Sequence, residues 1–395
     1  MSTAPEFPTT ATGYQSVLSA AIERAVGPQA TEIDRTGAYP RDSVQALGDA
    51  GLLGLLSAPG VGGGGESLAA AAHVVEALAG RCGSTAMVVL MHYAAVAVIE
   101  VHGPQDVRRA VARGDHVSSL AFSEVGSRSH FWAPLGTATA CDGDTVQLDA
   151  RKSWVTSAGH AHSYVWSSRP MNGPMNGNGA LTLWLVPSSA AGLSVGKYDG
   201  LGLRGTASGP VSGVGVVVPT NARLGDDGAG LDIALATALP SFLVLTAAFS
   251  LGVMEALVAE AAAHLARTRL QHLDQTLAQQ PIPRAAFARL RIRTDGVRAF
   301  LQDTLAALGA GREDATLRVL EAKAMAAEAA AEVADGVLKL CGGAAFRKEL
   351  DVERRFRDSL AARMMAPTTD ALHDFVGRVC LGQPLFDVVE PTSKE

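Results

Sequence analysis

Several short stretches carry side chains able to do chemistry. His92-Tyr93 sits within Ser84–Glu100, a run apolar on every face, so an imidazole and a phenol stand side by side in a buried helix. Such a histidine is either a satisfied core residue or a proton donor and acceptor at a cavity wall. The segment Ser123–Ser129 is small and polar. Its backbone N–H groups and hydroxyls, those of Ser127 and Ser129 among them, can hold an anionic phosphate. His130 follows directly and adds a second imidazole. Trp154 offers a flat apolar face, with the Thr156 and Ser157 hydroxyls close behind it; core packing in a β domain is the plainer use of that indole. Arg267 and Arg269 are cations on a long helix, either solvated or anion-binding. Gly342-Gly343 either caps a helix or bares backbone for the close approach of a ligand.

These residues must be positioned by three successive kinds of structure. From about Tyr14 to Arg113 the spacing is helical, with breaks at Gly27-Pro28, Tyr39-Pro40 and the glycine run Gly60–Gly65. Asp42-Ser43 ahead of Val44, Leu47, Leu52 and Leu53 predicts a helix start. From about His116 to Leu224 the period changes to two, as in Thr145–Asp149, Tyr164–Ser167, Leu181–Val186 and Val214–Pro219. The Gly- and Asn-rich stretch Arg169–Ala180 is expected to be a mobile hairpin tip. Helical spacing returns over Leu243–Ala266, Ile282–Leu308 and Thr316–Leu340, and a last helix is expected from about Asp358 towards Val379. The expected fold is α+β: a helical domain over residues 1–117, a β domain over 118–228 and a helical bundle over 229–395.

Composition excludes several function classes. With 33 basic against 39 acidic residues and a formal charge of −6, the chain has no basic excess for general nucleic-acid binding. A 48% hydrophobic content excludes a mostly disordered chain. The four cysteines are far apart and form no CxxC pair, which fits a reducing compartment and gives no expectation of a metal site. The first residues have neither a basic nor an apolar leader region, so a cytoplasmic location is expected. Met87–Ile99 is too short to span a bilayer and contains His92, so no membrane partner is expected. The 42 glycines, the alanine load and only 5% aromatics predict closely packed helices.

The order of elements, together with five motifs, resembles the acyl-CoA dehydrogenase superfamily of flavoproteins over nearly the whole chain. Asp34–Pro40 with Leu47–Leu55 is similar to its N-terminal helix pair. Ala121-Phe122-Ser123-Glu124-Val125-Gly126-Ser127 stands where that family has a (T/S)EPxxGS flavin loop, and Lys152–Ser157 resembles its K-x-(W/F)-(I/V)-(T/S) strand. Gly200–Ser208 resembles its GLRGS segment, and Cys341–Phe346 with Val352–Asp358 resembles GGxGY…VERxxRD. The resemblance implies an N-terminal helical domain, a middle β barrel, a C-terminal four-helix bundle, and an FAD whose pyrophosphate crosses to a neighbouring subunit. It also implies a homodimer or homotetramer. By that resemblance Phe122, Glu124, Ser127, Ser129, Trp154, Thr156, Ser157, Gly342, Gly343, Thr368 and Asp370 would bind the cofactor. One of Arg267 and Arg269 would meet the partner's pyrophosphate, and Arg357-Asp358 is a structural pair.

The base is missing. A dehydrogenase of that family removes an α proton with a glutamate, and counting from Arg357-Asp358 places Ala366 at that position. The alternative position, on the first long C-terminal helix, falls near Phe242. Neither side chain accepts a proton. His92, Tyr93, His130 and Asp370 are the residues that would have to substitute. The sequence therefore leaves three readings: dehydrogenation of an acyl thioester with an electron-transfer flavoprotein as partner, a two-component monooxygenase served by a flavin reductase, or a non-catalytic partner subunit.

Overall fold

The computed structural model describes residues 13–127, 130–172, 180–348 and 350–386. Ser129 and most of the expected hairpin tip, residues 173–179, lie outside them. The N-terminal part holds helices α1 (Gly13–Ala21), α2 (Ala30–Thr36), α3 (Arg41–Asp49), α4 (Leu68–Ala79), α5 (Gly83–His102) and α6 (Gln105–Ala112). Helix α5 is buried along nearly its whole length, as expected of a run with no polar face.

The middle part forms two four-stranded sheets around a shared core that includes Leu148, Trp166, Trp184 and Val216. In one, β1 (Ser118–Ala121), β4 (Ser163–Ser168), β5 (Thr182–Pro187) and β8 (Arg223–Leu224) follow the order β1-β4-β5-β8. In the other, β2 (Thr137–Cys141), β3 (Thr145–Val155), β7 (Gly209–Pro219) and β6 (Leu193–Val195) follow the order β2-β3-β7-β6. Strand β3 runs Lys152 opposite Val211 but Val155 opposite Gly209, so the register slips between them. The slip is a bulge that takes Ser153 and Trp154 out of the ladder, with Trp154 at φ +58°.

The C-terminal part begins at α7 (Gly230–Ile233), which continues through a wider turn into α8 (Leu239–Arg267). It then runs through α9 (Pro281–Gly309), α10 (Ala315–Cys341), α11 (Val352–Ser359), α12 (Ala361–Met364) and α13 (Thr369–Cys380). The expected single helix after Asp358 is thus broken at residues 365–368. Pro367 has no N–H to continue a helix, and Thr368 begins the next one, its hydroxyl accepting from the Ala371 N–H at 3.4 Å.

Small residues do the work expected of them where helices cross. A Cβ on Gly252 of α8 would lie 2.1 Å from the Glu76 carbonyl of α4, so glycine permits that approach. On α10 the buried face is largely alanine, including Ala322, Ala326, Ala330 and Ala334. The helices Gly83–His102 and Gly230–Arg267 are long and apolar enough to cross a membrane by length and composition, yet 83% of each apolar window is buried within the fold.

The three parts meet at one junction. Arg357 of α11 donates to both carboxylate oxygens of Asp34 on α2 (2.9 and 2.6 Å) and to the Leu201 carbonyl (3.1 Å). Asp358 beside it accepts from the Leu203 N–H at 2.6 Å, and Ser84 Oγ on α5 accepts from the Gly205 N–H at 3.1 Å. The Gly200–Ser208 motif is therefore held by α5 on one side and by the Arg-Asp pair on the other.

Candidate functional site

A cleft of about 770 Å³ opens between α5, the bulge of β3, the Tyr198–Leu203 segment, the start of α8 and residues 357–366. Its wall is mostly apolar, with Met87 and Met91 from α5, Leu120, Phe122, Phe131 and Phe242. Trp154 stands on it with 69% of its surface free, because the bulge turns the indole away from the β core. Thr156, next on the wall, has its Oγ1 3.0 Å from Ser208 Oγ, which also borders the cleft. The backbone of Ser123, Val125 and Gly126 completes this side, with Gly126 at φ +95°, a conformation natural to glycine.

Glu124 governs that backbone. Its carboxylate accepts from the Leu135 and Gly136 N–H groups and forms an ion pair with Lys152 at 2.6 Å. Lys152 is fully buried and also donates to Ser167 O (2.7 Å) and Ser167 Oγ (2.8 Å), with its ammonium 5.0 Å from the Trp166 ring centre. Burial pulls this ammonium below its ordinary pKa, and Glu124 opposes the shift. The pair neutralises the turn and locks it to the strand that bears Trp154. Glu124 is thus committed to fixing the loop. Ser127 likewise donates to the Glu124 carbonyl (3.1 Å) rather than facing the cleft.

Several sequence-based candidates stand elsewhere, for identifiable reasons. His92 is fully buried: its Nε2–H donates to Leu53 O at 3.0 Å and its Nδ1 accepts from Ser118 N–H at 3.2 Å. Both ring nitrogens are satisfied in the neutral form, and burial pushes the pKa down to about 4. Tyr93 donates to Leu52 O at 2.5 Å, and burial raises its pKa. Neither residue borders the cleft; together they fasten the Leu52–Leu53 turn and β1 to α5. His130 is exposed, 2.8 Å from Ser127 O and packed edge-on against Trp132. The Ser157 hydroxyl meets Tyr39 OH at 3.1 Å, away from the cleft.

The remaining candidates lie in the C-terminal part outside the cleft, and Arg269, expected on the long helix, stands just beyond its end in a two-residue strand paired with Gln275–Thr276. Arg267 is exposed at the end of α8 with no hydrogen-bond or ion-pair partner among the described residues, whereas Arg269 is engaged by Asp274. Gly342, at φ +59°, ends α10, and both Gly342 and Gly343 have open space where a side chain would stand. Thr368 caps α13, and Asp370 is exposed in its first turn.

Both positions expected to carry a base border the cleft, as Phe242 and Ala366. The acids on its wall among the described residues are Glu124, committed to Lys152, and Asp199, which is exposed to solvent. Tyr198 donates to Gly202 O at 2.9 Å and burial raises its pKa; Arg357 is held by Asp34 and Glu353. An open indole face, paired hydroxyls and a charge-neutral turn of bare backbone fit a flat aromatic ring joined to phosphates, which is the character of FAD.

Residues 12–114, 119–216 and 228–381 match the acyl-CoA dehydrogenase N-terminal, middle and C-terminal domains respectively. The chain belongs to the acyl-CoA dehydrogenase family. That makes it an oxidoreductase of a flavin-dependent family. It is 26% identical over 358 residues to the short-chain specific acyl-CoA dehydrogenase of Clostridium acetobutylicum, covering 88% of this chain and 92% of that one. Butyryl-CoA dehydrogenase from Megasphaera elsdenii shares the fold, with a TM-score of 0.88 at 22% identity over 95% of this chain and all of the other. The prolyl acyl carrier protein oxidase AnaB also shares it, with a TM-score of 0.84 at 18% identity over 94% and 99%.

Tyr198 is a residue of the cleft wall that motif reading passed over, and Lys152 was read there only as the first residue of a motif, with no role of its own. For Lys152 a signal was present. Val146, Leu148 and Ala150 alternate on the inward face of β3, and the same alternation points Lys152 inward, where a cation must find a partner.

Proposed function

We propose that this protein oxidises an acyl thioester at a carbon bearing an amine nitrogen, with FAD as hydride acceptor and no carboxylate base from the enzyme. The observation that carries the reading is the wall itself: Phe242 and Ala366, the positions where the resemblance would place a base, both border the cleft and neither side chain can accept a proton. The relatives named for short-chain and butyryl-CoA substrates support the thioester part.

When bound, FAD would accept a hydride and its electron pair. Trp154 would offer its face to the ring, Thr156 and Ser208 their hydroxyls to its polar edge, and Gly126 its backbone N–H to phosphate, the Val125 N–H being donated to Arg151 O. Met87, Met91, Phe122 and Phe242 would keep water from the reacting carbon. An ordinary acyl chain must lose a weakly acidic α proton as hydride leaves the β carbon, a step for which a positioned base contributes ~10²–10⁴-fold. Beside an amine no such base is required. The nitrogen lone pair forms the C=N bond as hydride departs, and the N–H proton then passes to water.

Arg267, Arg269, Gly342, Gly343, Thr368 and Asp370 lie outside the cleft, which fits a role towards the flavin of a neighbouring copy in a homodimer or homotetramer. Turnover calls for an electron acceptor, and an electron-transfer flavoprotein is the partner that the resemblance implies. The oxygenase alternative depended on His92, Tyr93 and His130, none of which borders the cleft.

Incubating the FAD-loaded protein with butyryl-CoA in D2O tests the absence of a base. The α carbon is expected to gain no deuterium with the natural protein and to exchange with Ala366→Glu. Rapid exchange by the natural protein would overturn the reading.

A further inference from the structure

Directly behind the cleft wall at Ala366 lies a buried amine that nothing described above employs. Lys323 of α10 has no exposed surface, and its Nζ donates to two carbonyls, Met365 O at 2.9 Å and Pro367 O at 2.6 Å. These carbonyls flank Ala366, and Met365 and Ala366 both border the cleft. Among the described residues no carboxylate is hydrogen-bonded to the amine. Two acceptors satisfy the two N–H donors of a neutral amine and leave an ammonium with one N–H unmet.

We infer that Lys323 is a positioning residue of the cleft, fixing the Met365–Pro367 turn from behind and altering that turn as it gains or loses a proton. A protonated amine pulls both carbonyls inward, whereas a neutral one holds them by weaker bonds. The inference takes the cleft as the reaction site, as proposed above, but its test needs no substrate.

The surroundings are consistent with this. Burial pulls the Lys323 pKa down to about 7, and Glu328 opposes that shift. Among the described residues Glu328 is the one charge acting on the amine, and it is itself paired with Arg363 of α12 at 3.0 Å. The turn brings no ionisable side chain, and on α13 Asp370, His373 and Asp374 are exposed to solvent.

Methionine provides the probe, because the chain has only nine, two of them Met364 and Met365. With 13C-methyl-methionine in the FAD-loaded protein, the Met365 signal is expected to move between pH 5.5 and 9 with a midpoint near 7. The deeply buried Met254 should stay still. In Lys323→Leu the Met365 signal should rest near its high-pH position throughout, and in Lys323→Arg near its low-pH position. Should Lys323→Leu fail to fold, Glu328→Gln serves instead: it leaves the amine in place and should lower the midpoint. A Met365 signal that does not titrate, or one whose midpoint ignores both Lys323 and Glu328, overturns the inference. An absence of substrate oxidation would bear on the proposed function and leave this titration unaffected.

Discussion

Replacing Lys152 by methionine should destabilise the Trp154 side of the cleft from within. Lys152 and Glu124 are paired at 2.6 Å with side chains 0% and 2% exposed, so water cannot take over when the ammonium is lost. The carboxylate keeps the Leu135 and Gly136 N–H donors but loses its counter-charge, while Ser167 O and Oγ lose their donor. Removing one partner of a buried pair costs about 3–5 kcal/mol, a large share of the roughly 5–15 kcal/mol that holds a typical protein together. The assay is convenient, because all four tryptophans (Trp132, Trp154, Trp166 and Trp184) lie within the β region, and their fluorescence in urea follows that region. The double variant Lys152→Met, Glu124→Gln should be more stable than Lys152→Met alone, since its amide can still accept from Leu135 and Gly136 without a buried charge. A loss below about 1 kcal/mol for Lys152→Met, or a double variant no more stable than the single, would refute the role assigned to the pair.

His92 and Trp154 give further expectations. The folded His92 pKa, pushed down to about 4 from 6.5 by burial, lies below its unfolded value, so its contribution is complete above pH 6.5 and is lost as pH falls through about 4. At about 1.4 kcal/mol per pH unit, that slope amounts to about 3 kcal/mol; His92→Gln, which keeps a donor and an acceptor, should flatten it in urea melts between pH 4 and 6.5. Asp358, pushed up to about 6 by burial, acts in the opposite sense, its contribution falling as pH rises through 6. Trp154→Ala should leave the urea midpoint of the apoprotein nearly unchanged, the indole being 69% exposed, yet weaken FAD retention at least tenfold in equilibrium dialysis. An unchanged affinity would remove Trp154 from the cofactor site.

Much of this was legible in the residues, and the exceptions share a cause. The long periods of α8, α9 and α10 and the period-two stretch that precedes them correspond to the observed elements, because burial of an apolar face imposes its spacing directly. Trp154 beside Thr156 was likewise readable, since motif and bulge coincide. His92 and Tyr93 misled because their partners, the Leu53 and Leu52 carbonyls, are backbone groups some forty residues away and carry no side-chain signature. Ser157 was lost to the Tyr39 hydroxyl, a side chain far away in the sequence that only the fold brings beside it. Lys323 stood in plain view among the alanines of α10, but only the fold shows that its amine ends on the turn around Ala366.

The central claim is that the cleft oxidises without a carboxylate base, and anaerobic mixing tests it most directly. The FAD-loaded protein would be mixed with butyryl-CoA and, separately, with aminoacyl thioesters of pantetheine, following the flavin absorbance band. Bleaching by an aminoacyl thioester, with none by butyryl-CoA, is the predicted result. Rapid bleaching by butyryl-CoA, or none by any amine-bearing thioester, would contradict it.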